Sequence, residues 1–145
     1  MKEMIVHSID ELDKIVEDLI NYAGECRILL FYGEIGAGKT TLIQRFCNYF
    51  EVEERVTSPT FSLVNEYTFK NKADQSKHLI HHLDLYRLKN INEAIDIGIE
   101  DYLYDNFYCL IEWPEVIEPL LPDHVMKIKI QLLDNSSRKI IFLQD

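Results

Sequence analysis

Two rhythms of apolar residues run through this chain, and each predicts a different kind of element. Beyond Ser8, the residues Leu12, Ile15, Val16, Leu19 and Ile20 recur at steps of three and four, the spacing of one face of an α-helix. Ser8 with Glu11 three residues on has the form of a capping box at the start of that helix, and Gly24 suits its end. Residues 27–32 (RILLFY) form an unbroken apolar run after the arginine and stop at Gly33, which predicts a buried parallel strand. A helix is expected over residues 39–50. Residues 61–69 and 78–86 read as strands around the polar stretch 70–77, hence a hairpin. Asn92 is a candidate cap for a helix running to about residue 104 with an interruption at Gly98. Residues 107–111 predict another buried strand ending at Glu112, and Pro114 suits the first turn of a short helix. A last hairpin is expected from residues 125–133 and 139–143. Strands alternating with helices predict one α/β domain over residues 1–145, with a mixed, mostly parallel central sheet flanked by helices and finished by β-hairpins.

Between the first buried strand and its following helix lies GEIGAGKTT. Within it, Gly33-x-x-x-x-Gly38-Lys39-Thr40 is the pattern of a phosphate-gripping P-loop. Glycines let backbone N–H groups curl around a phosphate, and the next helix points its positive end at the same place. Lys39 supplies a point charge for the terminal phosphates, and the Thr40 hydroxyl suits Mg²⁺. A magnesium nucleotide also needs a carboxylate from a neighbouring strand end. Glu112, after the apolar run 107–111, has the form of a Walker B acid, and Asp84 in His82-Leu83-Asp84-Leu85-Tyr86 is a second candidate. His82 shares a strand face with Asp84, where it either orders that carboxylate or is a partly buried histidine with a hydrogen bond of its own. Trp113, the only tryptophan, stands beside the proposed metal acid, where it either packs or senses the nucleotide or a partner.

Composition narrows the partners. The 145 residues suffice for a core without staples; 47% hydrophobic and 28% charged residues are ordinary for a soluble domain. A formal net charge of −10 argues against direct binding to DNA or RNA backbones, which needs a basic footprint. Cys26, Cys47 and Cys109 lack metal-ligand spacing and suit reduced, buried thiols of a cytoplasmic protein. The acidic N-terminal stretch does not read as a signal peptide, and no apolar run approaches a membrane span. Asn71-Lys72-Ala73-Asp74 matches the guanine-reading N-K-x-D pattern, but on a hydrophilic tip and without a D-x-x-G switch it does not predict a GTPase. His78, His81 and His82 invite a zinc site, yet adjacent strand residues point to opposite faces. The five arginines do not cluster, and little length remains for a lid and an acceptor domain. A small-molecule kinase and a non-hydrolysing nucleotide switch stay open as alternatives to an accessory ATPase.

Four motifs occur in order: GEIGAGKTT from Gly33, Thr57-Ser58-Pro59-Thr60-Phe61, His82-Leu83-Asp84-Leu85-Tyr86-Arg87-Leu88, and Ile111-Glu112-Trp113-Pro114-Glu115. In this combination the chain resembles the bacterial TsaE (YjeE) family, the ATPase of tRNA threonylcarbamoyladenosine biosynthesis. The resemblance runs from near residue 8 to the final hairpin. It implies a cytoplasmic P-loop protein that binds ATP/ADP with Mg²⁺ and hydrolyses ATP weakly. It further implies action on a TsaB–TsaD complex, which it resets between turnovers; tRNA is met only through that complex, and neither membrane nor DNA is a partner. Carried over by motif, Thr40 and Glu112 would ligate Mg²⁺, and Lys39, Asp84 and Glu112 would serve catalysis. Gly33, Gly36, Ala37, Gly38, Lys39, Thr40 and Thr41 would hold the phosphates, with Ser58 and Thr60 as a switch near the γ-phosphate and Trp113 and Arg138 near the nucleotide. The stretch from Ser8 to Asp10 would border the adenine. Glu34 stands where the family often has Asp, a change that leaves the backbone cradle intact.

Overall fold

The apolar run after Arg27 becomes the centre of the molecule. In the computed structural model, which describes residues 1–59 and 63–144, strand β2 (Ile28–Tyr32) lies between two parallel neighbours, β5 (Tyr108–Glu112) and β6 (Met126–Leu132). Successive residues of β2 point to opposite faces, and both faces are covered. Leu29 and Phe31 face a core shared with helices α1 (Leu12–Ala23) and α2 (Lys39–Tyr49). Ile28 and Leu30 face a second core, shared with the short helices α3 (Ile91–Asp96) and α4 (Ile99–Leu103) and a 3-10 helix at Pro114–Leu120. Phe46 of α2 is fully buried and meets Tyr108 edge-on at 5.1 Å between ring centroids, so the first core is closed by aromatic contacts.

Among the described residues, seven strands form one sheet in the order β1-β7-β6-β2-β5-β4-β3. The middle four are parallel, with β4 (Lys77–Asp84) beside β5. Antiparallel strands finish both sides: β3 (Val64–Lys70) on β4, then β7 (Arg138–Gln144) on β6 and β1 (Lys2–Val6) on β7. This is the mixed, mostly parallel α/β sheet expected from the sequence, including both hairpins. Strand β1 was not expected. It is an edge strand with Val6 alone buried, so its apolar signal is too short to stand out.

Two helix starts differ from expectation. Ser8 precedes a 3-10 turn at Ile9–Glu11 and makes no side-chain cap; Glu11 reaches one residue further back, accepting the His7 N–H at 3.0 Å. The α3 cap is Asn90 rather than Asn92: its Oδ1 accepts from the Glu93 N–H at 3.1 Å, while Glu93 Oε1 accepts from the Lys89 N–H at 3.0 Å. The interruption at Gly98 is present, with that residue in the left-handed region between α3 and α4. The three cysteines are buried and unpaired, and burial pushes the Cys47 thiol up to about 12. No helix among the described residues is long and apolar enough to cross a membrane.

Candidate functional site

Parallel strands aim their carboxyl ends in one direction, and loops gather ligand-binding groups there. Here β2 runs into the glycine loop, while β4 and β5 end in Asp84 and Glu112, directly opposite one another in the register. Above these ends opens a cavity of about 420 Å³, lined among others by Gly36, Lys39, Asp84, Glu112, Trp113 and Arg138.

The loop is shaped by close approaches that only glycine allows. A Cβ at Gly33 would sit 2.7 Å from the Ile130 carbonyl oxygen. Gly38 has φ +109°, and a Cβ there would sit 3.3 Å from Arg138 Nε. Gly38 directly precedes α2, whose first turn starts at Lys39. Gly33 and Ala37 hold the loop's form through contacts with Ile130, Lys39 and Arg138. Ala37 is buried, and its carbonyl accepts from Arg138 Nε at 2.6 Å. The Gly33 carbonyl accepts from Lys39 Nζ, which also donates to the Glu34 carbonyl at 3.3 Å. The Lys39 ammonium lies 3.7 Å over the centre of the Trp113 ring, so an aromatic face and two carbonyls hold one buried cation. Burial lowers its pKa below the ordinary lysine value, against the pull of the Glu112, Glu115 and Asp84 charges.

The carboxylates differ in role. Glu112 is 3% exposed and uses both oxygens: Oε1 accepts from the Thr40 hydroxyl at 2.9 Å, and Oε2 lies 2.7 Å from His82 Nε2. Thr40 Oγ1 is also 3.0 Å from Ser58 Oγ. Asp84 is half-buried. Its Oδ1 accepts from the Tyr86 N–H at 3.1 Å, and burial, then the Glu112 charge, raises its pKa above the ordinary carboxylate value. His82 therefore does not order Asp84, as its place two residues away suggested. The β4–β5 register sets His82 opposite Leu110 and Asp84 opposite Glu112, so the ring reaches diagonally to Glu112 while Asp84 turns back on its own chain.

Trp113 has φ +57° and ψ +57°, a left-handed backbone unusual for a bulky residue. That turn places its ring beside the loop, 5.0 Å from the Tyr86 ring. Arg138 opens β7 and reaches the loop across 101 residues of chain. Thr41 lines both the main cavity and a neighbouring recess of about 80 Å³ that Ser8 and Ile9 also border. Thr60 lies outside the described residues. The histidines of the 78–82 stretch disperse: His78 stacks on Phe69, His81 meets Asp105 and Glu66, and His82 meets Glu112.

The donor set around Thr40 suits a hard cation. Two hydroxyls and a carboxylate, all hard oxygen donors, meet there. Magnesium takes one or two carboxylates and completes its shell with water and phosphate. Tyr67, which no sequence motif singles out, joins this cluster from β3: its hydroxyl lies 3.0 Å from His82 Nδ1 and 2.9 Å from the Thr57 carbonyl. Its signal was a polar tip on an otherwise inward-facing strand position, which says nothing about a partner.

Comparison with known proteins agrees with this geometry. A family model described as "Threonylcarbamoyl adenosine biosynthesis protein TsaE" matches residues 6–140. A tRNA threonylcarbamoyladenosine biosynthesis protein TsaE from Rickettsia conorii is 35% identical over 134 residues, spanning 92% of this chain and 73% of its own. Its namesake from Haemophilus influenzae is 36% identical over 124 residues, spanning 85% of this chain and 75% of its own. The crystal structure of YdiB from Bacillus subtilis matches with a TM-score of 0.71 at 26% identity, over 97% of this chain and 83% of that one. Loop, strand-end acids and relatives converge: the chain belongs to the TsaE family.

Proposed function

We propose that this protein binds ATP with Mg²⁺, hydrolyses it slowly, and acts in tRNA threonylcarbamoyladenosine biosynthesis by resetting a TsaB–TsaD complex between turnovers. One observation carries the reading. The Thr40 hydroxyl of the glycine loop is bonded to Glu112, which stands opposite Asp84, with the Lys39 ammonium held over the same cavity.

The loop N–H groups and the start of α2 would cradle the phosphates. Lys39 would exchange its carbonyl partners for phosphate oxygens, a trade of neutral acceptors for charged ones. Thr40 and Glu112 would hold the ion, with Ser58 beside them; Mg²⁺, when bound, would neutralise the charge that develops as the terminal phosphoryl group is transferred. Asp84 stands free of the Thr40–Glu112 pair and would orient the attacking water. Arg138 fixes the back of the loop through Ala37 and lends positive charge to the cavity. The recess bordered by Ser8 and Ile9 is the candidate wall for the base. Ile35 and Tyr86, 73% and 56% exposed, present apolar surface by the cavity, which suits a protein partner.

The test is phosphate release from Mg-ATP by the protein alone and with TsaB–TsaD, with Lys39→Ala as the blank. The expected result is a slow basal rate that rises with the pair. A rate indifferent to the pair but dependent on a small acceptor would favour a phosphotransferase. Nucleotide-dependent binding to the pair without phosphate release would favour a switch.

A further inference from the structure

Glu112 and His82 are buried together, with exposures of 3% and 0%. A charged group at such a site must be hydrogen-bonded on every side. On one side Glu112 meets Thr40; on the other His82 passes the contact to Tyr67. The Tyr67 hydroxyl touches the Thr57 carbonyl, and the next residue, Ser58, returns to Thr40. The contacts close a ring through Thr40, Glu112, His82, Tyr67, Thr57 and Ser58, drawn from α2, β5, β4, β3 and the loop before β3.

The proton count makes this ring responsive. The Tyr67 hydroxyl has one hydrogen and two acceptors in reach, the Thr57 carbonyl at 2.9 Å and His82 Nδ1 at 3.0 Å. With a neutral imidazole donating from Nε2 to Glu112, Nδ1 must accept, and Tyr67 serves His82. The Thr57 carbonyl then keeps the Asn65 amide, which donates to it at 3.1 Å. If Tyr67 turns to Thr57 instead, Nδ1 loses its donor. In that tautomer the contact at Glu112 and the grip on the loop are not independent, because one hydroxyl proton serves either His82 or Thr57.

We propose that His82 and Tyr67 are positioning residues that fix Glu112 from behind and carry its state to the Thr57–Ser58 loop, so that the loop responds when Mg-nucleotide engages Thr40 and Glu112. The proposal rests on the nucleotide reading above. It differs from simple packing, because packing would support the fold equally with and without the metal. Outer partners of metal-holding groups commonly change metal affinity by about 10–100-fold when removed.

The experiment measures ATP binding by calorimetry against Mg²⁺ concentration, and again in EDTA, for wild type, His82→Leu and His82→Gln. Hydrogen exchange at the Thr57 and Ser58 amides, with and without Mg-ATP, is compared between wild type and Tyr67→Phe. His82→Leu is expected to raise the Mg²⁺ needed for half-maximal binding about 10-fold or more, with affinity in EDTA changed less than about twofold. His82→Gln, which can both donate and accept, recovers most of the loss. Tyr67→Phe is expected to abolish the protection of Thr57 and Ser58 that Mg-ATP brings in wild type. Equal losses with and without Mg²⁺ in His82→Leu, or wild-type loop protection in Tyr67→Phe, overturn the relay alone. Failure of wild type to bind ATP in an Mg²⁺-dependent way overturns the nucleotide reading and the relay with it.

Discussion

Strand β4 carries a polar cluster at each end, and the two are built differently. At its start lies the hairpin tip before Lys77. There the Asn71 side chain accepts from the Ala73 N–H at 2.8 Å, and that of Asp74 from the Ser76 N–H at 2.9 Å, each two residues away. These groups shape their own turn and face water. At the other end of β4 the partners come from far along the chain: Ser58 to Thr40 across 18 residues, His82 to Glu112 across 30, Thr40 to Glu112 across 72 and Arg138 to Ala37 across 101. Both clusters are rich in polar residues. Only the second removes charge from water and holds it with groups that the fold alone brings together, which makes it the candidate functional end.

The sharpest way to break this contrast is at Lys39. Lys39→Ala is expected to weaken ATP binding by about 100-fold or more, measured by calorimetry, through loss of a charge-assisted contact worth ~3 kcal/mol. Wild-type affinity in that variant would remove the phosphate cradle. Glu112→Gln and Asp84→Asn are expected to slow phosphate release by about 10²–10³-fold while the proteins stay folded.

Asp84 also sharpens the comparison through pH. Its carboxyl is held above the ordinary value by burial. At a pH below the unfolded value of about 3.9 it is protonated in both states and its burial carries no charge penalty. As pH rises through the folded value, the carboxylate must ionise in a half-buried place and that stability is lost. Asp84→Asn should therefore melt roughly 1–3 °C higher than wild type at neutral pH, with the gap closing toward pH 3. A variant that melts lower at neutral pH would mean that Asp84 supports the fold rather than straining it.

Smaller effects follow. Arg138→Ala is expected to weaken nucleotide binding about 10-fold, because Gly36, Lys39 and Thr40 remain. At the opposite end of β4, Asp74→Ala should move the melting temperature by no more than about 2 °C and leave ATP affinity within about twofold. A large effect there on nucleotide binding would erase the distinction between the two ends.

The β4 residues show how far the sequence could be followed. The polar tip and its flanking strands were legible, because turn chemistry and apolar periodicity are local. So was Asp84 as a strand-end acid. The partner of His82 was not: spacing along β4 suggests Asp84, while the register against β5 delivers Glu112. Ser8 and Asn92 misled for a related reason. A capping pattern needs only the right residues at the right spacing, and the chain offered Glu11 a bond to His7 and α3 an earlier cap at Asn90.

By itself, then, the sequence determined the glycine loop between a buried strand and a helix, the hairpins and the strand-end acids. Each of these is written in contiguous residues by backbone freedom, apolar period or turn chemistry. The tertiary structure alone decided that Arg138 meets Ala37, that Lys39 sits over Trp113, and that Glu112 is held between Thr40 and His82. Those contacts depend on which strands lie side by side and in what register. The whole chain settles that when it buries its apolar faces, and no local stretch encodes it.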